Sequence, residues 1–153
     1  MTTESTAAYS AGDTPGPIDF VLLEFSSDRL TGEAGPALLD LVERGVIRLL
    51  DLLVVSKADD GSVEVLELTD PLAESGGFAY LAGSSSGLLG DDDIQEAAEA
   101  IAPGKVAALI IYENTWAAPF VAAVRHSGGE LIASARIPAT DIIEALDALE
   151  QTD

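Results

Sequence analysis

The chain contains no cysteine and only one histidine, His126. Without cysteine it can form no disulfide, thiol nucleophile or thiolate metal site, and a reducing cytoplasm is its expected location. A catalytic triad would have to use His126 as its base. A histidine at the end of a predicted helix is more typical of a surface residue that interacts with the helix dipole. We therefore lean towards a protein that is not an enzyme.

Basic residues are scarce as well. Seven Lys and Arg stand against 27 Asp and Glu, so the net charge is −20, and residues 58–104 contain no basic side chain. Binding to nucleic acids or anionic membranes requires a basic surface, so neither is an expected partner. The acidic surface most simply keeps the protein soluble, and the alternative is a docking surface for a basic protein.

Long apolar runs are absent too. No segment approaches the roughly 20 residues of a membrane-spanning helix. Residues 1–13 lack the basic and apolar regions of a signal peptide. We predict a disordered N-terminal tail over residues 1–16 and a single domain over residues 17–150, for which a hydrophobic content of 48% supplies a core.

What the sequence does contain is an internal repeat. Residues 18–45 and 106–128 each run from an apolar segment through a glutamate and a polar loop to a proline, an apolar helix pattern and a glycine. Glu24 and Glu113 occupy equivalent positions in the two copies. The repeat predicts two related β-α-β units.

The predicted order of elements is β-α-β-β-α-β-α-β-α. Residues 59–61, Asp-Asp-Gly, mark a hairpin, and residues 71–90 form a Gly/Ser-rich excursion. The last strand covers Glu130 to Ile137, and an amphipathic helix from Thr140 to Glu150 closes the chain. The fold class is thus α+β, a ferredoxin-like sheet built from two pseudo-repeated β-α-β units with an extra C-terminal helix. Exposed edges of so small a sheet often pair with another copy.

The two equivalent glutamates are the first candidate site. If the pseudo-symmetry brings Glu24 and Glu113 together, the two carboxylates could share a proton or hold a hard cation such as Mg²⁺. In the alternative, each glutamate pairs with an arginine (Arg48, Arg125 or Arg136) or caps the following loop.

The second candidate is the run Glu113, Asn114, Thr115 and Trp116 at a predicted strand-to-helix junction. Backbone N–H groups point outward at such a junction, so this loop could bind a small anion or polar ligand. In the alternative, Asn114 or Thr115 caps the helix and Trp116 packs on the sheet.

Two other patterns predict no site. Residues 83–87 formally match the G-x-S-x-G nucleophile elbow, but they lie in a Gly/Ser-rich stretch without the strand and helix that an elbow needs. Asp91, Asp92 and Asp93 lack the spacing of a calcium loop and are better explained as helix-capping residues. No metal or cofactor is predicted.

Three segments resemble an uncharacterised actinobacterial family known only as a domain of unknown function. They are residues 17–25, the hairpin around residues 59–61, and residues 112–117, which read Tyr-Glu-Asn-Thr-Trp-Ala. The resemblance runs from about Gly16 to Ala148. It implies the fold and a bacterial cytoplasmic setting, but no activity or catalytic residue.

A more distant similarity extends to a wider family of membrane-associated proteins of unknown function. It is carried by Gly87 to Ile94, where a Gly/Leu segment leads into an acidic helix, and by Pro103-Gly104. Residues 71–90 are too short and too serine-rich to form the membrane hairpin of that family, so membrane association is not expected here.

Three functions are compatible with these observations. The first is a non-catalytic cytoplasmic protein that acts by self-association or by docking to a protein partner, through its sheet edges, its Gly/Ser segment or its last helix. The alternative is a regulatory module that binds a small ligand or metal at Glu113 to Trp116. The third is a small acid–base enzyme that uses the paired glutamates.

Overall fold

The computed structural model describes residues 14–26 and 31–151. Most of the predicted N-terminal tail, residues 1–13, lies outside the described residues. The chain divides into two compact units, Met1–Ala123 and Val124–Asp153.

The first unit contains a sheet and the helices that cover it. In chain order its elements are β1 (Ile18–Ser26), α1 (Ala34–Glu43), β2 (Arg48–Lys57), β3 (Val63–Leu66), α2 (Pro71–Ser75), a 3-10 turn (Phe78–Leu81), α3 (Asp91–Ala100), β4 (Lys105–Glu113) and a second 3-10 turn (Thr115–Ala117). Helix α4 (Ala118–His126) begins in this unit.

The four strands form one antiparallel sheet in the order β1-β4-β2-β3. Strand β4 lies in the centre, and its residues 106–110 are all buried. Its sequence explains this position, because a strand covered on both faces reads as a continuous apolar run. The predicted hairpin is also present: Ala58 N–H donates to Ser62 O at 2.8 Å, and Gly61 takes a positive φ of 92°.

The α+β class is confirmed, but the ferredoxin-like pseudo-repeat is not. A ferredoxin-like sheet has its first and third strands in the centre, whereas here β4 and β2 are central. The prediction of a last strand from Glu130 to Ile137 is wrong, because this segment has no regular secondary structure. Strand propensity in such a short stretch is expressed only where a neighbouring strand pairs with it.

Each face of the sheet carries its own apolar cluster. On one face Leu52 and Val54 pack with Phe78 from the 3-10 turn, and the partly buried side chains of α1 lie against them. On the other face Val55 and Leu109 pack with helix α3. The predicted excursion over residues 71–90 is therefore built into the fold, since Phe78 is buried in the first cluster.

The second unit begins within α4 and ends with α5 (Ala139–Gln151). The predicted C-terminal helix is therefore present. None of the described residues from 127 to 151 is buried. No helix among the described ranges combines the length and apolarity that crossing a bilayer would need.

Candidate functional site

Glu113 is the last residue of β4 and lies between the first residues of its two neighbouring strands. It is directly opposite Ile18 of β1 and Arg48 of β2. Its side chain is only 3% exposed. One carboxylate oxygen, Oε2, accepts the Gly16 N–H at 2.7 Å, and the other, Oε1, lies 3.6 Å from Arg48 Nε. Both oxygens therefore have a partner within the chain.

The structure does not bring Glu24 near Glu113. Because β1 and β4 are antiparallel, Glu24 lies opposite Ala107, six residues along β4 from Glu113. At about 3.3 Å per residue, this separates the two backbone positions by roughly 20 Å. Glu24 is exposed, and its Oε2 accepts the N–H of Ala102, just after α3, at 2.8 Å. The two carboxylates cannot share a proton or a metal ion within one chain.

Asn114 fastens the end of β4 to the start of β1. Its Nδ2 donates to Pro17 O at 3.0 Å and to Asp19 Oδ2 at 2.9 Å, and its backbone N–H donates to Pro17 O at 2.8 Å. Its Oδ1 accepts the indole N–H of Trp116 at 3.2 Å. The side chain acts as a brace between two strands and makes no helix-capping hydrogen bond.

Thr115 and Trp116 fasten the same loop to the connection between α1 and β2. The Thr115 hydroxyl donates to Gly45 O at 2.8 Å, and the backbone N–H of Trp116 donates to Val46 O at 3.2 Å. The Trp116 side chain is 67% exposed, so the expectation that it packs on the sheet is wrong. Its Nε1 bond to Asn114 holds the indole beside the loop instead.

A groove of about 410 Å³ opens beside this loop. Apolar side chains from α1, β2 and the first 3-10 turn form most of its wall, and Arg48, Tyr80 and Thr115 also line it. Its volume is within the range of ligand-binding clefts. Of the predicted site residues, only Thr115 lines the groove; Arg48 was predicted only as a partner of a glutamate, and Tyr80 was not identified from the sequence.

A buried carboxylate that sequence reasoning missed lies in the middle of β2. Asp51 has no exposed surface. Its Oδ1 accepts the N–H of Leu52 at 2.9 Å and of Ser86 at 2.7 Å, and its Oδ2 accepts the N–H of Leu89 at 2.8 Å. The sequence feature that could have identified it is a single acid within the otherwise apolar run over residues 49–55.

The serines of the G-x-S-x-G pattern are part of the same structure. Ser85 Oγ donates to Leu52 O at 2.7 Å, and Ser86 Oγ donates to Leu50 O at 2.6 Å. Residues 84–89, which we call the serine strap, therefore lie along the edge of β2 beyond the end of its pairing with β3. Both hydroxyls donate to backbone carbonyl oxygens and not to a general base, which is the arrangement of structural serines and not of activated nucleophiles.

The three consecutive aspartates start helix α3, as predicted. Asp93 Oδ2 accepts the N–H of Gly90, the residue before the helix, at 2.9 Å. Carboxylates in a first turn also interact favourably with the helix dipole. Within residues 14–26 and 31–151, no three His, Asp or Glu side chains cluster closely enough to hold a metal ion.

The comparisons with other proteins place the chain in a family without showing an activity. Residues 14–151 match a family of unknown function, DUF6325, and the chain belongs to this family. No curated protein and no solved structure matches it.

Proposed function

We propose that the protein acts in the cytoplasm without catalysis, by self-association. The observation that carries this proposal is the exposed apolar surface of the second unit. Seven large apolar side chains between residues 131 and 149 are 45–84% exposed; they are Leu131, Ile132, Ile137, Ile142, Ile143, Leu146 and Leu149.

A segment of this size supplies no core of its own. Chains below about 40 residues usually need disulfides, metals or oligomerisation to fold stably, and this chain has no cysteine. On helix α5 the apolar residues recur at positions 142, 143, 146 and 149 and so form one stripe. A stripe of this kind packs on another apolar surface, and a second copy supplies one of matching chemistry.

The state of the polar candidates also favours association over catalysis. The two carboxylate oxygens of Glu113 contact Arg48 and Gly16, and Glu24 lies at the opposite end of the β1–β4 pair. A general acid or base must reach a substrate proton within about 3 Å. Glu113, nearly inaccessible to solvent, is poorly placed for such contact.

Light scattering across a concentration series and a salt series tests the proposal. Two copies of charge −20 repel each other, so added salt strengthens self-association, whereas it weakens docking to a basic partner. We expect the mass to rise above 15.8 kDa with concentration, and more readily at high salt. A strict monomer across both series contradicts the proposal.

A pair of uncharged substitutions on α5 isolates the apolar stripe. Leu146→Gln places an amide within the stripe, whereas Ala148→Gln places the same group on the opposite side of the helix, because two residues correspond to about 200°. We expect only Leu146→Gln to weaken association. Equal effects would show that the stripe is not the contact surface.

A second candidate function, binding of a small ligand, rests on the groove beside Thr115. Its apolar wall with Arg48 and Tyr80 suits an amphipathic molecule. The exposed Trp116 reports on the adjoining loop, so a panel of metabolites and metal ions can be screened by its fluorescence. Saturable changes that Tyr80→Ala abolishes would support this function, and no change across the panel would count against it.

A further inference from the structure

The two edges of the sheet differ in how much backbone they offer to another strand. On one side, β3 is only four residues long and pairs with the end of β2, from Val54 to Lys57. The preceding part of β2 is covered by the serine strap, whose hydroxyls bond to Leu50 O and Leu52 O. This side offers little free backbone to another strand.

The other edge of the sheet is strand β1, which carries two acids, Asp19 and Glu24. Its nine residues pair with β4 along their whole length, and no other strand among the described residues pairs with it. Ile18, Phe20 and Leu23 are 52%, 53% and 40% exposed. A long apolar edge strand without a bulge, proline or lysine is a template for another strand.

We infer that β1 pairs antiparallel with β1 of a second copy, with Leu22 on the twofold axis, so that the two sheets form one continuous sheet. This inference rests on the proposed function and adds to the apolar stripe of α5 a second contact surface, which lies in the first unit. A twofold interface uses the same patch on both copies, which an antiparallel pair of identical strands satisfies.

The register follows from the alternation of the backbone. Along β1, residues whose N–H and C=O point to β4 alternate with residues whose groups point outward, and two outward residues must face each other. Opposing residues in the dimer are therefore both odd or both even in number. This rule excludes Asp19 opposite Glu24, the like-charged pair that would disfavour the contact.

Placing Leu22 on the axis pairs every residue of β1. Ile18 then faces Ser26, Phe20 faces Glu24, and Val21 faces Leu23. Side chains of opposing residues lie on the same face of the sheet, so the face that carries Leu22 and helix α3 continues into the corresponding face of the second copy. Strand β1 thereby becomes an interior strand of the combined sheet, and no acid faces another acid.

Lysine substitutions on the two edges test the surface. Phe20→Lys places a charge on the inferred interface, and Val65→Lys is the matched control on the opposite edge, where Val65 is 47% exposed. In light scattering we expect Phe20→Lys to shift the monomer–dimer midpoint at least tenfold in concentration, and Val65→Lys to leave it unchanged. Circular dichroism and urea unfolding confirm that both variants fold.

Cysteine pairs test the register, and the native chain contributes no thiol. Val21→Cys and Leu23→Cys chains, mixed and oxidised, should form a mixed disulfide, because opposing Cα atoms lie about 4.5–5.5 Å apart. Each variant alone places its thiols on diagonal positions roughly 7–8 Å apart, which is too far for a disulfide.

The outcomes separate this inference from the proposed function. A native chain that is monomeric at all concentrations overturns both. An oligomer that Phe20→Lys leaves intact, with no mixed disulfide, overturns the β1 interface but leaves self-association standing. An oligomer that Phe20→Lys dissociates, but in which each cysteine variant cross-links with itself, overturns the Leu22 register.

Discussion

Arg48 and Glu113 face each other across the two central strands, with Arg48 Nε 3.6 Å from Glu113 Oε1. The arginine keeps 30% of its side chain exposed, whereas the glutamate keeps 3%. The pair thus presents its cation to solvent and holds its anion inside. Replacing either partner alone removes the counter-charge of the other. The cost is largest for the Glu113 carboxylate, because the fold has already removed it from water.

We expect Glu113→Gln to lower the free energy of unfolding by about 2–3 kcal/mol. Loss of one partner of a fully buried pair costs about 3–5 kcal/mol, and the partial exposure of Arg48 reduces this value. Urea unfolding measures the change. Glu24→Gln is the control, since Glu24 is exposed and makes one bond to the Ala102 N–H, so its loss should cost no more than about 1 kcal/mol.

The double variant Arg48→Met with Glu113→Gln separates the loss of the whole ion pair from the loss of one charge. If the cost of Glu113→Gln arises from the uncompensated arginine, removing both charges should recover part of it. A double variant less stable than the sum of both single changes would contradict the ion-pair explanation.

The sequence predicts the parts of this fold that local chemistry determines. Residues 59–61 form the hairpin because Asp-Gly favours a tight turn, and the aliphatic run over residues 106–111 of β4 is typical of a strand covered on both faces. The sequence also predicts, as one of two alternatives, that Glu113 pairs with an arginine, and Arg48 is that partner. The hairpin requires only its own residues, whereas the ion pair and the central position of β4 are completed by the pairing of β4 with β1 and β2.

The features that the sequence did not predict depend on contacts distant along the chain. Glu24 and Glu113 are equivalent in the repeat, but the antiparallel pairing of β1 with β4 moves them apart, and no local pattern encodes that direction. The role of Asp51 depends on Ser86, 35 residues away. Which strands pair, and in which direction, depends on how the complete core packs. The pattern of a single sequence therefore does not predict it.

We expect Gly35→Ala to destabilise the protein by about 1–3 kcal/mol, as is usual when a packed site receives an extra methyl group. Gly35 is buried in α1, its N–H donates to Gly76 O at 3.0 Å, and a Cβ there would overlap the backbone of Gly77. Thermal and urea unfolding measure the loss. Gly90→Ala is the control, because nothing lies within 4 Å of its Cβ position, and its cost should not exceed about 1 kcal/mol.

We expect the Asp60 carboxyl to titrate below its ordinary range. The hydroxyl and then the N–H of Ser62 bond to Asp60 Oδ1 at 2.7 and 2.9 Å, and these bonds lower the pKa of Asp60. A depressed pKa means that the contribution of Asp60 to the hairpin is complete above the pKa of the unfolded chain. It is lost as the pH falls through the folded value.

Substitutions at Ser62 check this assignment by NMR titration of the Asp60 carboxyl carbon. Ser62→Ala removes the hydroxyl donor and should raise the pKa of Asp60 towards its ordinary value, while Ser62→Thr retains the donor and should leave the pKa low. An unchanged titration in Ser62→Ala would mean that the hydroxyl bond does not form in solution.

We expect Asp51→Asn to open the serine strap and to lower the free energy of unfolding by about 2–4 kcal/mol. The carboxylate of Asp51 accepts three backbone N–H groups in a site without solvent. An asparagine can accept through only one oxygen and directs an N–H₂ group at a remaining donor, so at least one buried polar group loses its partner.

Amide hydrogen exchange at Ser86 and Leu89 should accelerate more than exchange in β4, because the strap detaches before the sheet unfolds. The exposed Asp59→Asn in the hairpin removes the same charge without these contacts and should leave both amides protected. If exchange accelerated equally in the strap and in β4, Asp51 would stabilise the sheet as a whole. The hydrogen bonds from the serine hydroxyls to Leu50 O and Leu52 O would then be the contacts that hold the strap against the edge of β2.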